Sequence, residues 1–277
     1  MKGSIRHRLA TIVGVVAACS GCAGSACAPV PIRGGGYELV FEDSFDGTAA
    51  GPIWANAPFG DGLPATVSDG ALTLTSTAAN DHRWAYVATT GPRVDTEPSY
   101  PFALSWQEGY FEARIRYTDD PWAWPGFWMF STAKSEAWPD ENCTLLNAEW
   151  DIMENGIGNS AGDRPPSRSF YGVLHRNSTD TTPDGYCGTP DERRSIHEIY
   201  TDRNLSEWHT WAGRWTEDEV CSYLDDVQLG CLPRYDTTSQ PMHMVFTMHY
   251  QGLCGGCPPR PAELELQVDW VRVWQRP

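Results

Sequence analysis

Basic residues are scarce in this sequence. Its 277 residues include 20 Lys and Arg against 36 Asp and Glu, which gives a formal net charge of −16 at neutral pH. Proteins that bind nucleic acid neutralise its phosphates with basic side chains, so this balance argues against a nucleic-acid partner. It argues equally against docking on anionic lipid through a basic face.

Long apolar runs are also missing from most of the chain. After residue 18, no stretch reaches the roughly 18 uncharged apolar residues of a membrane-spanning helix. The run at 9–18 is too short to span a bilayer, and it follows the basic residues Lys2, Arg6 and Arg8. A basic start followed by a short apolar run is typical of a signal peptide, which predicts export.

Two cleavage sites are compatible with this leader. Residues 16–19, Val-Ala-Ala-Cys, resemble a bacterial lipobox, in which the cysteine is lipidated after cleavage, whereas residues 26–28, Ala-Cys-Ala, resemble an ordinary site. We favour the first and predict a signal peptide over 1–18 and a lipid on Cys19. The protein is then extracellular or a cell-surface lipoprotein, and in the second case the lipid is its membrane anchor.

The rest of the chain divides into a tether and one domain. Residues 19–36 are rich in Gly, Ala and Pro and predict a flexible tether. Residues 37–277 have the length of a single large β domain, and we find no internal repeat in them. We expect this domain to be a monomer.

A second Cys-x-x-Cys motif is absent, which makes a zinc site at Cys254 and Cys257 a weaker interpretation than a disulfide. Export permits disulfides, and the six cysteines of 37–277 allow 15 pairings. Cys221 and Cys231 flank a predicted hairpin turn at 225–226, so we expect these two to pair.

Helical periodicity is rare, and a short helix near 191–199 is the exception that we predict. Elsewhere apolar and polar residues alternate in short runs separated by Gly and Pro, which is the pattern of half-buried strands. The strand-like runs are 37–41, 71–75, 109–117, 127–131, 149–154, 169–175, 208–216, 221–224, 243–250 and 264–273. This organisation predicts an all-β sandwich or jelly roll.

One of these runs, 149–154, carries three acids. Residues two apart on a strand share a face, so Glu149 and Asp151 point the same way. A β-bulge at 152–153 would return Glu154 to that face. The two Glu Cα atoms would then lie ~13 Å apart. Inward-leaning side chains would bring the carboxyls to roughly 5–6 Å, the spacing of a retaining glycosidase.

The ExDxxE spacing of these acids arises by chance in about one chain in fifteen of this length. A calcium site or a plain acidic patch would use the same residues. The surrounding sequence therefore has to decide between these interpretations.

Seven motifs resemble, in order, those of glycoside hydrolase family 16, in the laminarinase-like group whose catalytic strand carries a bulged ExDxxE motif. They are LVFEDSFDG (39–47), DGALTL (69–74), GYFEARI (109–115), WPGFWM (124–129), EWDIMENG (149–156), WHTWAGRW (208–215) and VDWVRVW (268–274). The resemblance covers 37–275 and implies a β-jelly roll of two bent antiparallel sheets whose concave face binds polysaccharide in a cleft.

The resemblance also implies roles for individual residues. Glu149 corresponds to the nucleophile, Asp151 to its helper and Glu154 to the general acid/base of a double displacement that needs no cofactor. Three further side chains correspond to positions able to contact sugar, although each also suits a structural role: Trp128, Trp138 and His175. A structural calcium ion is implied at three oxygen donors: Glu42, the carbonyl of Gly70 and Asp269.

Several positions depart from the family pattern. An insertion containing Cys143 precedes Glu149, and Trp150 stands where the family usually has Ile. His249 and Gln251 replace small residues and are expected to narrow the cleft or change its sugar preference. His249 and His243 fall on the strand face opposite the methionines of 242–248, and we see no metal-ligand pattern there.

These observations predict a retaining endo-β-glycanase that acts on a polysaccharide, with β-1,3-glucan as the leading substrate. A galactan hydrolase or a transglycosylase on the same fold is the alternative among enzymes. A non-catalytic glycan-binding protein is the alternative outside enzymes, although a lectin has no need for all three acids.

Overall fold

The computed structural model describes residues 35–51, 53–54, 65–77, 84–89, 104–120, 122–131, 148–154, 169–176, 192–200, 203–234, 241–250 and 263–277. All regular secondary structure in these ranges is β-strand, so the predicted all-β class is confirmed. Over the same ranges, no helix is long and apolar enough to cross a membrane.

Fourteen strands occur in the described part of the chain. Their bounds are β1 Glu38–Asp43, β2 Thr66–Ser68, β3 Ala71–Thr77, β4 Trp84–Ala88, β5 Gly109–Tyr117, β6 Ala123–Ser131, β7 Ala148–Glu154, β8 Ser169–Arg176, β9 Glu192–Tyr200, β10 His209–Trp215, β11 Glu219–Leu224, β12 Val227–Pro233, β13 Met242–Tyr250 and β14 Glu263–Gln275. Each of the ten predicted runs coincides with one of these strands, to within a few residues at its ends.

The strands form two antiparallel sheets. The first sheet has the order β12-β11-β10-β5-β14-β3-β2, and β1 also pairs with β14. The second sheet has the order β4-β13-β6-β7-β8-β9, which places β7 in its interior, between β6 and β8. The strand that carries the three acids is therefore held from both edges by backbone hydrogen bonds.

The predicted short helix near 191–199 is wrong, because this segment forms the edge strand β9 and pairs with β8. Ile196 is buried in the core between the sheets. Its carbonyl oxygen also lies against Gly230 of β12, so close that a Cβ on the glycine would be 2.3 Å away. Pairing with β8 and contact with the first sheet override the local helical preference of this segment.

The two sheets enclose an aromatic core. Trp150 of β7 is fully buried and meets Phe111 of the first sheet edge to face, with ring centroids 6.1 Å apart. Phe127 and Phe246 stack within the second sheet at 5.0 Å. The strong burial of these large rings supplies much of the hydrophobic stabilisation of the sandwich.

The β11–β12 hairpin confirms two predictions. Its turn residues Asp225 and Asp226 both have positive φ, at 48° and 67°, as a two-residue type I′ turn requires. Cys221 and Cys231 lie directly opposite each other across the hairpin and form a disulfide. The expected pairing of these two cysteines is therefore confirmed.

A buried histidine is hydrogen-bonded to a residue of the same turn. His209 Nδ1 lies 2.7 Å from Asp225 Oδ2, and its Nε2 lies 3.0 Å from the carbonyl oxygen of Asn204. The hydrogen bond to Asp225 raises the pKa of His209 above 6.5, against the opposing effect of burial. Burial alone would raise the pKa of Asp225, but hydrogen bonds from His209 and the Thr210 amide outweigh it and lower that pKa below 3.8.

This pair makes stability depend on pH. The raised pKa of His209 means that its contribution is complete below 6.5 and is lost as the pH rises through the folded-state value. The lowered pKa of Asp225 means that its contribution is present above 3.8 and is lost as the pH falls through the folded-state value. Both contributions are complete between pH 3.8 and pH 6.5, so we expect His209→Gln to lower the free energy of unfolding most in this range. Urea unfolding at several pH values measures this, and a difference from wild type that does not shrink at alkaline pH contradicts it.

Candidate active site

The three acids of β7 lie on one face of the second sheet. Gly126, Trp128 and Phe130 alternate along β6, so they share a face. The residues paired with them across the β6–β7 ladder are, in the same order, Glu154, Asp151 and Glu149. Residues directly opposite each other in a ladder also share a face. The register therefore brings all three carboxylates together on that face.

A β-bulge makes this possible. On the β8 side, Asp151 and Glu154 pair with Val173 and Tyr171, so three steps along β7 match two steps along β8. On the β6 side, Ile152 is the extra residue, because the ladder passes directly from Asp151 to Met153. The bulge predicted at 152–153 is thus present, and it turns Glu154 back toward Asp151.

Burial differs along the row of acids. Asp151 is 3% exposed and Glu154 is 8% exposed, whereas Glu149 is half-buried. Trp150 and Ile152, on the opposite side of β7, are fully buried in the core. The acid row is thus backed by close-packed apolar side chains, which limit how far the strand can move.

Glu154 receives a hydrogen bond from a tryptophan. The indole Nε1 of Trp124, on β6, donates to Glu154 Oε1 over 3.2 Å. Trp124 lies opposite His249 of β13, and the two rings pack with centroids 4.7 Å apart at an angle of 32°. Trp124 belongs to the sequence motif WPGFWM, from which we predicted no role for it. Its position two residues before Gly126 and four before Trp128, on the same strand face, is the signal that could have found it.

The structure brings some of the predicted sugar-contacting residues to this face. Trp128 is half-buried, lies opposite Asp151 and meets Phe130 edge to face at 5.6 Å. His175 pairs with Glu149 through the backbone of β8, while its side chain lies outside the described residues. Trp138 also lies outside the described residues.

The sequence of this chain is similar to those of known β-glycanases and β-glucanases. No family model matches the chain. It is 28% identical over 221 residues to the endo-1,3-1,4-beta-glycanase ExsH of Rhizobium meliloti, covering 76% of this chain and 39% of that protein. It is also 28% identical over 188 residues to a beta-glucanase of Rhodothermus marinus, covering 62% of this chain and 58% of the relative. The chain thus spans less than two thirds of the length of either relative.

Solved structures show the same fold. The laminarinase of Rhodothermus marinus superposes with a TM-score of 0.63 at 23% identity, covering 86% of this chain and 97% of the other. The catalytic domain of an endo-1,3-beta-glucanase of Thermotoga petrophila gives 0.60 at 21% identity, covering 87% and 98%. The sequence relatives, this fold and the bulged ExDxxE strand agree with one another. By sequence and by fold, this chain is similar to the laminarinase-like members of glycoside hydrolase family 16. The predicted jelly roll is therefore confirmed.

The acid-bearing face of the second sheet contains a second buried histidine besides His249. His243 of β13 meets Phe130 edge to face at 5.8 Å, whereas Met242, Met244 and Met248 point into the core, so the histidine and the methionines lie on opposite faces of the strand, as predicted. Burial lowers the pKa of His243 to about 3. This side chain is therefore neutral at physiological pH and does not serve as a proton donor there.

The two acids at which the resemblance implies a calcium ion are paired with arginines in this structure. Glu42 Oε1 accepts a hydrogen bond from Arg272 over 2.8 Å, and Asp269 pairs with Arg114 at 2.5 Å. Gly70 lies in the positive-φ turn between β2 and β3. Both carboxylates are thus engaged in ion pairs with arginines, and the calcium site stays a prediction.

Proposed function

We propose that this domain is a retaining endo-β-glucanase that hydrolyses internal bonds of β-1,3-glucan by double displacement. The observation that carries the proposal is the row of three carboxylates on one face of the bulged strand β7. Its relatives support the substrate class, since they are named endo-1,3-1,4-beta-glycanase and beta-glucanase. Structural neighbours include a non-specific endo-beta-1,3(4)-glucanase of family GH16 bound to glucan oligosaccharides.

In the first step, a carboxylate oxygen of Glu149 forms a bond to C1 of the sugar while the C1–O bond to the leaving sugar breaks. The proton of the Glu154 carboxylic acid passes to the departing oxygen, which leaves as a hydroxyl. Asp151, between the two on the same face, orients its neighbours. The products of this step are a glycosyl ester on Glu149 and an ionised Glu154.

In the second step, water attacks C1 and its proton passes to the Glu154 carboxylate, which acts as general base. The bond between C1 and Glu149 breaks, and the Glu149 carboxylate is restored. Two inversions at C1 leave the product with the β configuration of the substrate. Trp128, beside Asp151, offers a flat apolar surface for a sugar ring.

The test is product analysis on a panel of β-1,3-glucan, mixed-linkage β-glucan and β-galactan. We expect the first two to yield a ladder of short oligosaccharides from early times, as endo cleavage requires. Cleavage of galactan alone, or products longer than the substrate, would replace the proposal with the galactanase or transglycosylase alternative. Binding of glucan without cleavage of any polysaccharide would make the protein a glycan-binding module.

We also propose that the protein is exported and lipidated on Cys19, on the strength of the leader sequence, whose residues lie outside the described part of the chain. Expression in a bacterium fed labelled palmitate should label the wild type and leave Cys19→Ala unlabelled. Equal labelling of both forms would contradict lipidation at Cys19. Export of an unlabelled wild type would favour cleavage at the Ala-Cys-Ala site at 26–28.

A further inference from the structure

Two aromatic side chains connect Glu154 to the neighbouring strands. Trp124 donates its indole N–H to Glu154 Oε1, and the ring of His249 packs on Trp124. Neither residue has a part in the double displacement described above. Both lie on the face that carries the acids, because Trp124 alternates with Gly126, the partner of Glu154.

We propose that Trp124 and His249 are positioning residues that determine which oxygen of Glu154 carries the transferable proton. This inference rests on the proposed function, in which Glu154 is the general acid/base. It goes further by assigning the proton to one atom, Oε2, and by naming the side chains responsible.

The assignment follows from the chemistry of the indole group. An indole N–H only donates hydrogen bonds and has no acceptor, so Oε1 of Glu154 has to accept in both protonation states. In the acid form, Oε1 is then the carbonyl oxygen and Oε2 carries the proton. The terminal torsion of a Glu side chain is broad and roughly two-fold. Without the donor, the proton would be shared between the two oxygens.

Each step of the reaction then uses the same oxygen. During glycosylation, the covalent Oε2–H bond breaks as the proton passes to the leaving oxygen. Oε1 continues to accept the hydrogen bond from Trp124. During deglycosylation, Oε2 takes the proton of the attacking water and the acid form is restored. The carboxyl group does not have to rotate between the two steps.

His249 fixes the plane of the indole. It is 9% exposed and lies directly opposite Trp124 in the β6–β13 ladder, with the two rings 4.7 Å apart. Trp124 also precedes Pro125, which restricts its backbone to extended conformations. Backbone restriction and ring packing together hold the Nε1–H in the direction of Glu154.

The titratable groups near Glu154 come from three strands. Asp151 shares its face on β7, Tyr171 lies opposite it on β8, and His249 approaches through Trp124 on the β13 side. Because these groups also affect proton transfer, the test compares Trp124→Phe, which leaves all three in place, with two variants that change His249.

The central variant is Trp124→Phe, which keeps an aromatic ring and removes the N–H. We expect kcat/KM on β-1,3-glucan to fall by roughly 10–100-fold. The basic limb of the pH profile should move to higher pH, since donation to a carboxylate favours its ionised form. Activity on an aryl β-glucoside with an activated leaving group, which needs no proton, should fall much less. His249→Ala should produce a smaller change in the same directions, and His249→Phe should restore the wild-type profile.

The matched control is Trp208→Phe, at a tryptophan that packs against Arg114 and Arg116 of the first sheet. It should leave the pH profile unchanged. The proposal is overturned if Trp124→Phe retains the wild-type basic limb. It is also overturned if that variant loses equal activity on glucan and on the activated substrate, which would indicate sugar stacking alone.

A readout that needs no turnover separates this inference from the proposed function. In ¹⁵N-tryptophan-labelled protein, the indole resonance that disappears in Trp124→Phe should shift with pH in the wild type and lose that titration in Glu154→Gln. Titration without cleavage of any glucan would support the hydrogen-bonded pair and refute the proposed function. Glucan cleavage with an indole resonance that ignores Glu154 would refute the pair and leave the proposed function intact.

Discussion

Glu149→Gln is expected to reduce kcat on β-1,3-glucan by on the order of 10⁴-fold or more. The amide has the size of the carboxylate but cannot form the covalent glycosyl ester, so the first displacement is lost. Glu149 is half-buried at the surface of the second sheet, so the variant should fold and bind glucan as the wild type does. Initial rates together with a binding measurement separate loss of chemistry from loss of binding.

The control for this prediction is the same substitution at an acid away from β7. Glu108 is exposed and pairs with Arg234 at 3.3 Å, so Glu108→Gln should retain the wild-type rate. In Glu149→Ala, added azide should occupy the vacated space and attack C1 directly, giving an α-glycosyl azide. A wild-type rate for Glu149→Gln, or a β-glycosyl azide from Glu149→Ala, would show that Glu149 is not the nucleophile.

Gly213→Ala is expected to lower the free energy of unfolding by about 1–3 kcal/mol, because the core has no room for an added methyl group. A Cβ on Gly213 would lie 2.4 and 2.5 Å from two ring atoms of Trp150, and 2.9 Å from Ile152 Cγ1. Trp150 sits between Glu149 and Asp151 on β7, so a displaced ring should also lower activity. Urea unfolding and initial rates measure the two effects.

Gly213 and Trp150 form a size-matched pair, which a double-mutant cycle can demonstrate. Trp150→Ile, the residue usual in the family, should leave a void and cost about 2–5 kcal/mol. With Gly213→Ala added, the new methyl group fills part of that void, so the double variant should be more stable than the sum of the two changes by about 0.5–3 kcal/mol. Additive effects would contradict the pairing of these two positions.

The central strands were predictable because a strand that buries one face has apolar and polar residues in alternation along its sequence. The run at 109–117 coincides with β5, and its second half is such a case, because Ile115 and Tyr117 are buried whereas Arg114 is half-buried and Arg116 is exposed. The edge strand β9 was not predictable from its own residues, because its conformation depends on pairing with β8 and contact with β12. The short strand β2 gives too few residues for a periodicity to show.

The acid row was predictable for a related reason. Strand periodicity and one bulge suffice to bring Glu154 beside Asp151, and both operate within a single short segment. The bond between Trp124 and Glu154 depends instead on how β6 is registered against β7, and the contact with His249 on how β6 is registered against β13. The register between two strands is determined by the assembled sheet, so it cannot be predicted from the sequence of either strand alone.

The most direct test of the account is the anomeric configuration of the first product, followed by ¹H NMR during hydrolysis of β-1,3-glucan. Double displacement through Glu149 predicts that the new reducing end appears first as the β anomer and only later equilibrates by mutarotation. Initial appearance of the α anomer would mean a single inverting displacement. It would contradict the roles assigned to Glu149 and Glu154 on β7.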